Sequence, residues 1–527
     1  MTSAGGAASA LLALALGAPS PASEAVDLDA VTRIRQEGFE RSQVVATAAY
    51  LCDVIGPRLT ASPSARRAND WTRERFEAWG LEKAHLEGSP FGVGWSFESA
   101  SVRMVAPLPV PLRALPKAWT PGTPGTVRAP AVKAVLKAER DFEAVRGRLR
   151  GKVVLLADAR KIGAGDGPVL QRFSSEELAE LRGFPVPRLE DREAERQAAL
   201  ARARFRRALN GFLAEEGVVA ALEPSTRDEV LVVKDQGSYE TDGPRGVPTF
   251  VVLPEHYNRL VRLLERGLDV ELEVSLAAAF HEEDTNAYAT LAEIPGADKR
   301  EEVVMAGAHL DSWHGGTGAT DNAAGVAIVM EAARILKAAG LAPRRTIRFA
   351  LWTGEEQTYA ASEAYVSRHL GGWTGPRDPE ERALDYRLQN DRGRLELKPD
   401  HARFSVYFNV DNGGGRIRGI YAQESSAAAA LFEEWMRPLA DLGVTTVTAR
   451  DADDTDHEVF DDVGLPAFQF IQDDLEYTRL TWHSDVDTYD HLVREDLMQA
   501  SVVLATFLYQ AAARDGLLPR KPLPQYP

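Results

Sequence analysis

The sequence predicts an α/β fold, an open sheet whose strand ends converge on one site, with a second, less regular α+β body set into the middle of the chain. Three observations predict it. Four short apolar runs in the second half end in, or lead to, a histidine or a carboxylate. Helical patterns lie between them, as expected where helices cover a sheet. Around residue 101 the chain changes character, with Pro107, Pro109, Pro111, Pro116, Pro121 and Pro124 crowded into one stretch, the composition of a domain boundary or an irregular β region.

The elements follow in order. Ala10 to Ala18 form a short apolar core, and Ser20-Pro21-Ala22 offers small residues for cleavage. Residues 1–24 therefore read as a secretion signal and the protein as exported, periplasmic or extracellular, although no Lys or Arg precedes the core. Asp29 to Leu51 and Ser64 to Trp79 show helical spacing, broken by Gly56-Pro57-Arg58, and a strand completes a first segment over 28–100. In the middle segment, 101–282, strands are expected at 151–156, 218–222, 247–253 and 270–274, with a helix over 255–264. The charged stretch 172–207 has no role legible in its residues. A second structural segment runs over 283–515.

The chemistry lies in that last segment. Val303 to Ala308 reads as a buried strand, followed at once by His309-Leu310-Asp311. Residues two apart in extended chain point the same way, so Asp311 can stand beside His309 and receive its second N–H. Asp321 closes the glycine-rich turn 315–321 ahead of a helix over 324–339; it is placed either as an N-cap or as a metal-bridging carboxylate. The strand 345–352 ends at Gly354-Glu355-Glu356. Two adjacent carboxylates there start a helix as a solvated pair, or they flank a cation, one as ligand and the other free to take a proton. The strand 404–410 ends at Asp411, and the strand 466–471 leads to Trp482-His483-Ser484-Asp485. Open α/β sheets bind ligands beyond their strand C-termini, and catalytic zinc prefers imidazole and carboxylate ligands.

These motifs, with Gly307 to Gln357 most telling, resemble the co-catalytic zinc aminopeptidase family, in the branch that includes plasma glutamate carboxypeptidase. The resemblance covers 28–100 and 283–515. It implies a zinc exopeptidase fold, a mixed central sheet flanked by helices, and the order of the middle segment resembles an inserted protease-associated domain. It implies two Zn2+ ions: His309 and Asp411 on one, Glu356 and His483 on the other, and Asp321 bridging. Glu355 would be the general base and Asp311 the residue that orients His309. A cis peptide is implied between Asp321 and Asn322. His457 and Tyr477 are the candidates for contact with substrate or its oxyanion. The implied activity is that of an aminopeptidase or dipeptidase on short peptides, and a homodimer is a family expectation. A glutaminyl-cyclase-like acyltransferase and a non-catalytic binding protein on a peptidase scaffold are the alternatives.

Composition narrows the field. A net charge of −17 with no concentrated basic surface excludes a nucleic-acid binder. Cys52 is the only cysteine, so neither an intrachain disulfide nor a thiolate zinc cluster can form. No stretch beyond the signal is long and apolar enough to span a membrane.

Overall fold

Two eight-stranded sheets organise the computed structural model, which describes residues 25–163, 169–185, 192–234, 237–376, 378–382, 384 and 388–525. The apolar run read as a secretion signal lies outside the described residues. No helix among them is long and apolar enough to cross a membrane.

The first sheet runs in the order Glu82–Pro90, Asn286–Ile294, Arg345–Trp352, Lys299–His309, Phe404–Asn409, Ala467–Gln472, Ile417–Tyr421 and Thr446–Thr448. Its four central strands, from Arg345–Trp352 to Ala467–Gln472, are parallel, and antiparallel pairs flank them. Parallel strands buried on both faces need continuous apolar runs, and these have them. Val304, Ala306 and Ala308 face one core, with the helices Ala324–Ala338 and Arg494–Ala513. Met305, Ala350, Trp352 and Tyr407 face the other, with Tyr365 and Phe460. The sheet is therefore mixed and helix-flanked, as its sequence implied.

The second sheet is built on two long antiparallel strands, Gly94–Ala106 and Glu271–His281, in register from Gly94 opposite His281 to Ala106 opposite Glu271. The shorter strands Val127–Lys133, Val153–Leu155, Ala220–Pro224 and Thr249–Val252, parallel to one another, continue it, Val127–Lys133 joining Glu271–His281 antiparallel. The helix Pro254–Glu265 contributes Tyr257, Leu260 and Val261 to its core.

One expectation changes. The helical run beginning at Asp29 is split into Leu28–Glu40 and Val44–Ala49, because the chain turns so that Gln43 N donates to the buried carboxylate of Glu331 at 3.0 Å. His457 opens the short helix His457–Asp461. The charged stretch 172–207 is fastened to the first body at its first residue. Arg172 Nη1 lies 2.8 Å from Asp473 and 2.6 Å from Asp496, two fully buried carboxylates of the first body. The chain then forms the helices Ser175–Leu181 and Arg192–Glu215.

Candidate metal centre

Parallel strands aim their C-termini at one edge of the first sheet, and the titratable residues collect there. His309 is the last residue of its strand, and Asp411 follows Phe404–Asn409. Glu355 and Glu356 follow Arg345–Trp352 across Gly354, whose φ is +90°. Asp321 sits in the turn Ala319–Ala323 ahead of Ala324–Ala338, and the Asp321–Asn322 peptide is cis. Asn322 ties this turn to the next strand end, donating to Val410 O at 2.9 Å and accepting from Gly325 N at 2.9 Å. A Cβ at Gly325 would stand 2.2 Å from Val410 O, so only glycine fits there.

Two clusters share Asp321: His309, Asp321 and Asp411, and Asp321, Glu356 and His483. Nε2 of His309 lies 3.3 Å from Asp321 Oδ1 and 3.2 Å from Asp411 Oδ1. Nε2 of His483 lies 3.3 Å from Asp321 Oδ2 and 3.0 Å from Glu356 Oε2. One carboxylate thus gives one oxygen to each histidine. Two ligands of a tetrahedral ion with bonds near 2.1 Å stand about 3.4 Å apart, so both clusters have the spacing of ligand sets. No Lys or Arg among the described residues pairs with Asp311, Asp321, Glu355, Glu356 or Asp411; Asp311, Asp321, Glu356 and Asp411 pair instead with the two histidines. Buried carboxylates packed this densely favour a divalent cation. Asp321 Oδ2 and Glu356 Oε1 are buried without a hydrogen-bond partner, as donor atoms reserved for metal would be.

The electrostatics follow from burial. Burial pushes the Glu355 carboxyl well above the ordinary range; His309 opposes this, while Asp411, Asp456 and Glu356 reinforce it. Glu356 is raised by burial and then by Asp321. Burial also works against the Asp411 carboxylate, but His309 and a hydrogen bond from Thr455 outweigh it and hold the group low.

His309 is oriented differently from expectation. The near partner of its Nδ1 is the main-chain oxygen of Asp311 at 3.1 Å, while the carboxylate oxygen Oδ1 stands at 3.7 Å. Oδ2 of Asp311 accepts from Thr60 Oγ1 at 2.8 Å. Of the two oxyanion candidates, Tyr477 feels the charge of the cluster: its phenol is raised by burial and by Asp321, Asp411 and Glu356. His457 is fully buried, with Nε2 against Ala452 O at 3.0 Å and Gln423 Nε2 at 3.1 Å. His314, too, is held by the fold. It is buried against Trp95 and Phe97 and bonded through Nε2 to Pro116 O at 2.7 Å.

Sequence reasoning missed three supports. Arg58, fully buried, donates to Leu310 O, Gly56 O, Thr317 O and Gly318 O and so moulds the loop after His309. Thr60 steadies Asp311. Asp487 accepts from Thr320 N at 2.7 Å and Asp321 N at 3.1 Å, pinning the turn that presents Asp321. The only available signal was the proximity of Asp487 to His483; Arg58 and Thr60 arrive from a distant loop.

With this geometry in view, residues 289–508 match peptidase family M28. The match takes in most of the first sheet and the helices on its faces. Carboxypeptidase Q of Rattus norvegicus is 26% identical over 89% of this chain and 85% of its own length. Among solved structures, an M28 peptidase precursor from Shewanella amazonensis superposes with a TM-score of 0.65 at 23% identity, covering 94% of this chain and 98% of the other. BSAP, a zinc aminopeptidase from Bacillus subtilis, gives a TM-score of 0.56 at 18% identity, covering 90% and 95%. The matched residues 289–508 include all five candidate ligands and Glu355.

Proposed function

We propose that this M28 domain is a two-zinc exopeptidase that hydrolyses short peptides from a free amino terminus. The observation that carries the reading is the division of Asp321, Oδ1 toward His309 and Oδ2 toward His483. His309 and Asp411 would hold one zinc and Glu356 and His483 the other, with Asp321 on both. Zinc bound there would polarise the scissile carbonyl and acidify a water. The remaining roles belong to the chain. Glu355, adjacent to a ligand yet outside both clusters, would accept a proton from the attacking water and deliver it to the leaving amine. The C–O bond forms first as the C=O opens, and the C–N bond breaks when the carbonyl re-forms, with no net proton change on the enzyme. Tyr477 O–H would donate to the developing oxyanion, a part for which the bonds of His457 to Gln423 and Ala452 leave it poorly placed. Residues 101–282 would act as an inserted domain over the cleft, and residues 1–24 as an export signal.

The test is a metal titration of Glu355→Ala and Glu356→Ala beside the unchanged protein, with turnover measured on free and N-acetylated dipeptides. Glu355→Ala should bind two zinc ions and lose turnover by at least ~100-fold, the usual worth of a general base. Glu356→Ala should lose one ion. Variants that behave alike in the titration would refute the division of roles. Cleavage of N-acetylated dipeptides as fast as free ones would refute recognition of the amino terminus.

A further inference from the structure

We infer that the stretch from Arg227 to Val233, which belongs to the body built on the second sheet, positions His483 and sets the affinity of the Asp321–Glu356–His483 site. The inference rests on the two-ion reading above. His309 and Asp411 are held by the first sheet itself, since their strands pair directly, Gly307 opposite Asn409. His483 has no such support. It follows the turn Tyr477–Thr481 and takes φ +56°, a left-handed conformation that a residue other than glycine keeps only where its surroundings enforce it.

Those surroundings come from the second body. Val233 N donates to His483 O at 2.9 Å, and Asp485 N donates to Leu231 O at 3.0 Å, so that Val232 and Ser484 form an antiparallel bridge. Leu231 N donates in turn to Asp485 Oδ1 at 2.8 Å. Leu231, Val232 and Val233 are buried, which shields these bonds from water. Arg227 grips the other side. Its Nη1 donates to Trp482 O at 3.0 Å and to Leu480 O at 3.4 Å, and its guanidinium lies 5.5 Å from the centre of the Trp482 ring. That ring stacks on the imidazole of His483 with centroids 3.9 Å apart. Arg113, also of the second body, pairs with Asp485 at 2.6 Å. The backbone and the ring of His483 are thus both held by a body that supplies none of the other candidate ligands.

The two halves of the centre should therefore respond differently when this grip is loosened. Removing a group that orients a metal ligand typically weakens binding ~10–100-fold. The experiment measures both zinc dissociation constants of the full chain, by competition with a chromophoric chelator, for Arg227→Met, Arg227→Lys and the unchanged protein. In Arg227→Met one zinc should bind as before and the other at least ~10-fold more weakly. Arg227→Lys should recover most of the loss, because an ammonium can still donate to both carbonyls. In a Glu356→Ala background, Arg227→Met should leave the remaining ion unchanged. Two unaltered constants would overturn the inference, and so would two constants that weaken together, which is what general loosening produces. Should Arg227→Met fail to fold, Arg113→Met at the more exposed edge carries the same test with a smaller split. An unchanged protein that binds fewer than two zinc ions would overturn the two-ion reading first, and this inference with it.

Discussion

Replacing Tyr407 by Phe removes one oxygen from a buried chain of hydrogen bonds that ends at a candidate ligand. Trp352 Nε1 donates to Tyr407 Oη at 2.9 Å, Tyr407 Oη donates to Asn409 Oδ1 at 2.7 Å, and Asn409 Nδ2 donates to Thr455 Oγ1 at 2.9 Å. Thr455 in turn donates to Asp411. Trp352, Tyr407 and Asn409 are each fully buried. The Phe ring would keep its stacking on Phe460, at 4.2 Å and 5°, so the change is one of polarity more than of volume. Two bonds disappear, leaving the Trp352 N–H and one Asn409 oxygen buried and unpaired, at roughly 1–3 kcal/mol each. Not having to desolvate the hydroxyl returns on the order of 1–2 kcal/mol. The net loss is about 2–3 kcal/mol. Urea unfolding in the presence of chelator, followed by circular dichroism, separates this from any stability contributed by bound metal. The midpoint should fall with the slope unchanged. A loss below about 0.5 kcal/mol would show that these groups do not depend on one another.

Two further predictions concern single side chains. Asp311→Asn should weaken zinc binding at the His309 site only ~10-fold, the low end for an orienting residue, because the main-chain oxygen of residue 311 still holds Nδ1. A loss beyond ~100-fold in the same chelator competition would return the orienting role to the carboxylate. His314 is held neutral by burial, its pKa lowered from 6.5 to about 4. Below pH 6.5 the unfolded chain takes up a proton that the folded chain refuses until about pH 4, so stability falls as pH drops through that window, by about 3 kcal/mol for this one group. His314→Gln should flatten the acid limb of a plot of stability against pH between those values, and an unchanged limb would refute the assignment.

How much of this was legible in the sequence differs from residue to residue. His309, Glu355, Glu356 and Asp411 stood out because each ends a run too apolar and β-branched to be anything but a buried strand, and a charge just past such a run sits at the sheet's edge. Asp321 and His483 lie on turns and were read through family likeness, since a carboxylate before a helix looks the same whether it caps or bridges. Arg58, Thr60, Thr455 and the 227–233 stretch were not legible, because each acts across a contact that no local pattern encodes. The strand Glu82–Pro90 was expected only as an unplaced strand for another reason: it lies at the sheet's edge and most of its residues are exposed, so its sequence lacks the apolar run that betrays the central strands.

The register of Gly94 opposite His281 has a topological consequence. Cα atoms facing each other across an antiparallel ladder are about 5 Å apart, so the chain leaves the first body and returns to it at nearly one point. A two-residue turn could bridge that point, and the first sheet would keep its strand order, since Glu82–Pro90 and Asn286–Ile294 already pair with each other. The whole span 94–281 is thus removable without stretching a bond. What such an excision would take away is the clasp around His483. A miniature built this way would keep the edge that gathers His309, Glu356 and Asp411, and would need a new brace for its last histidine.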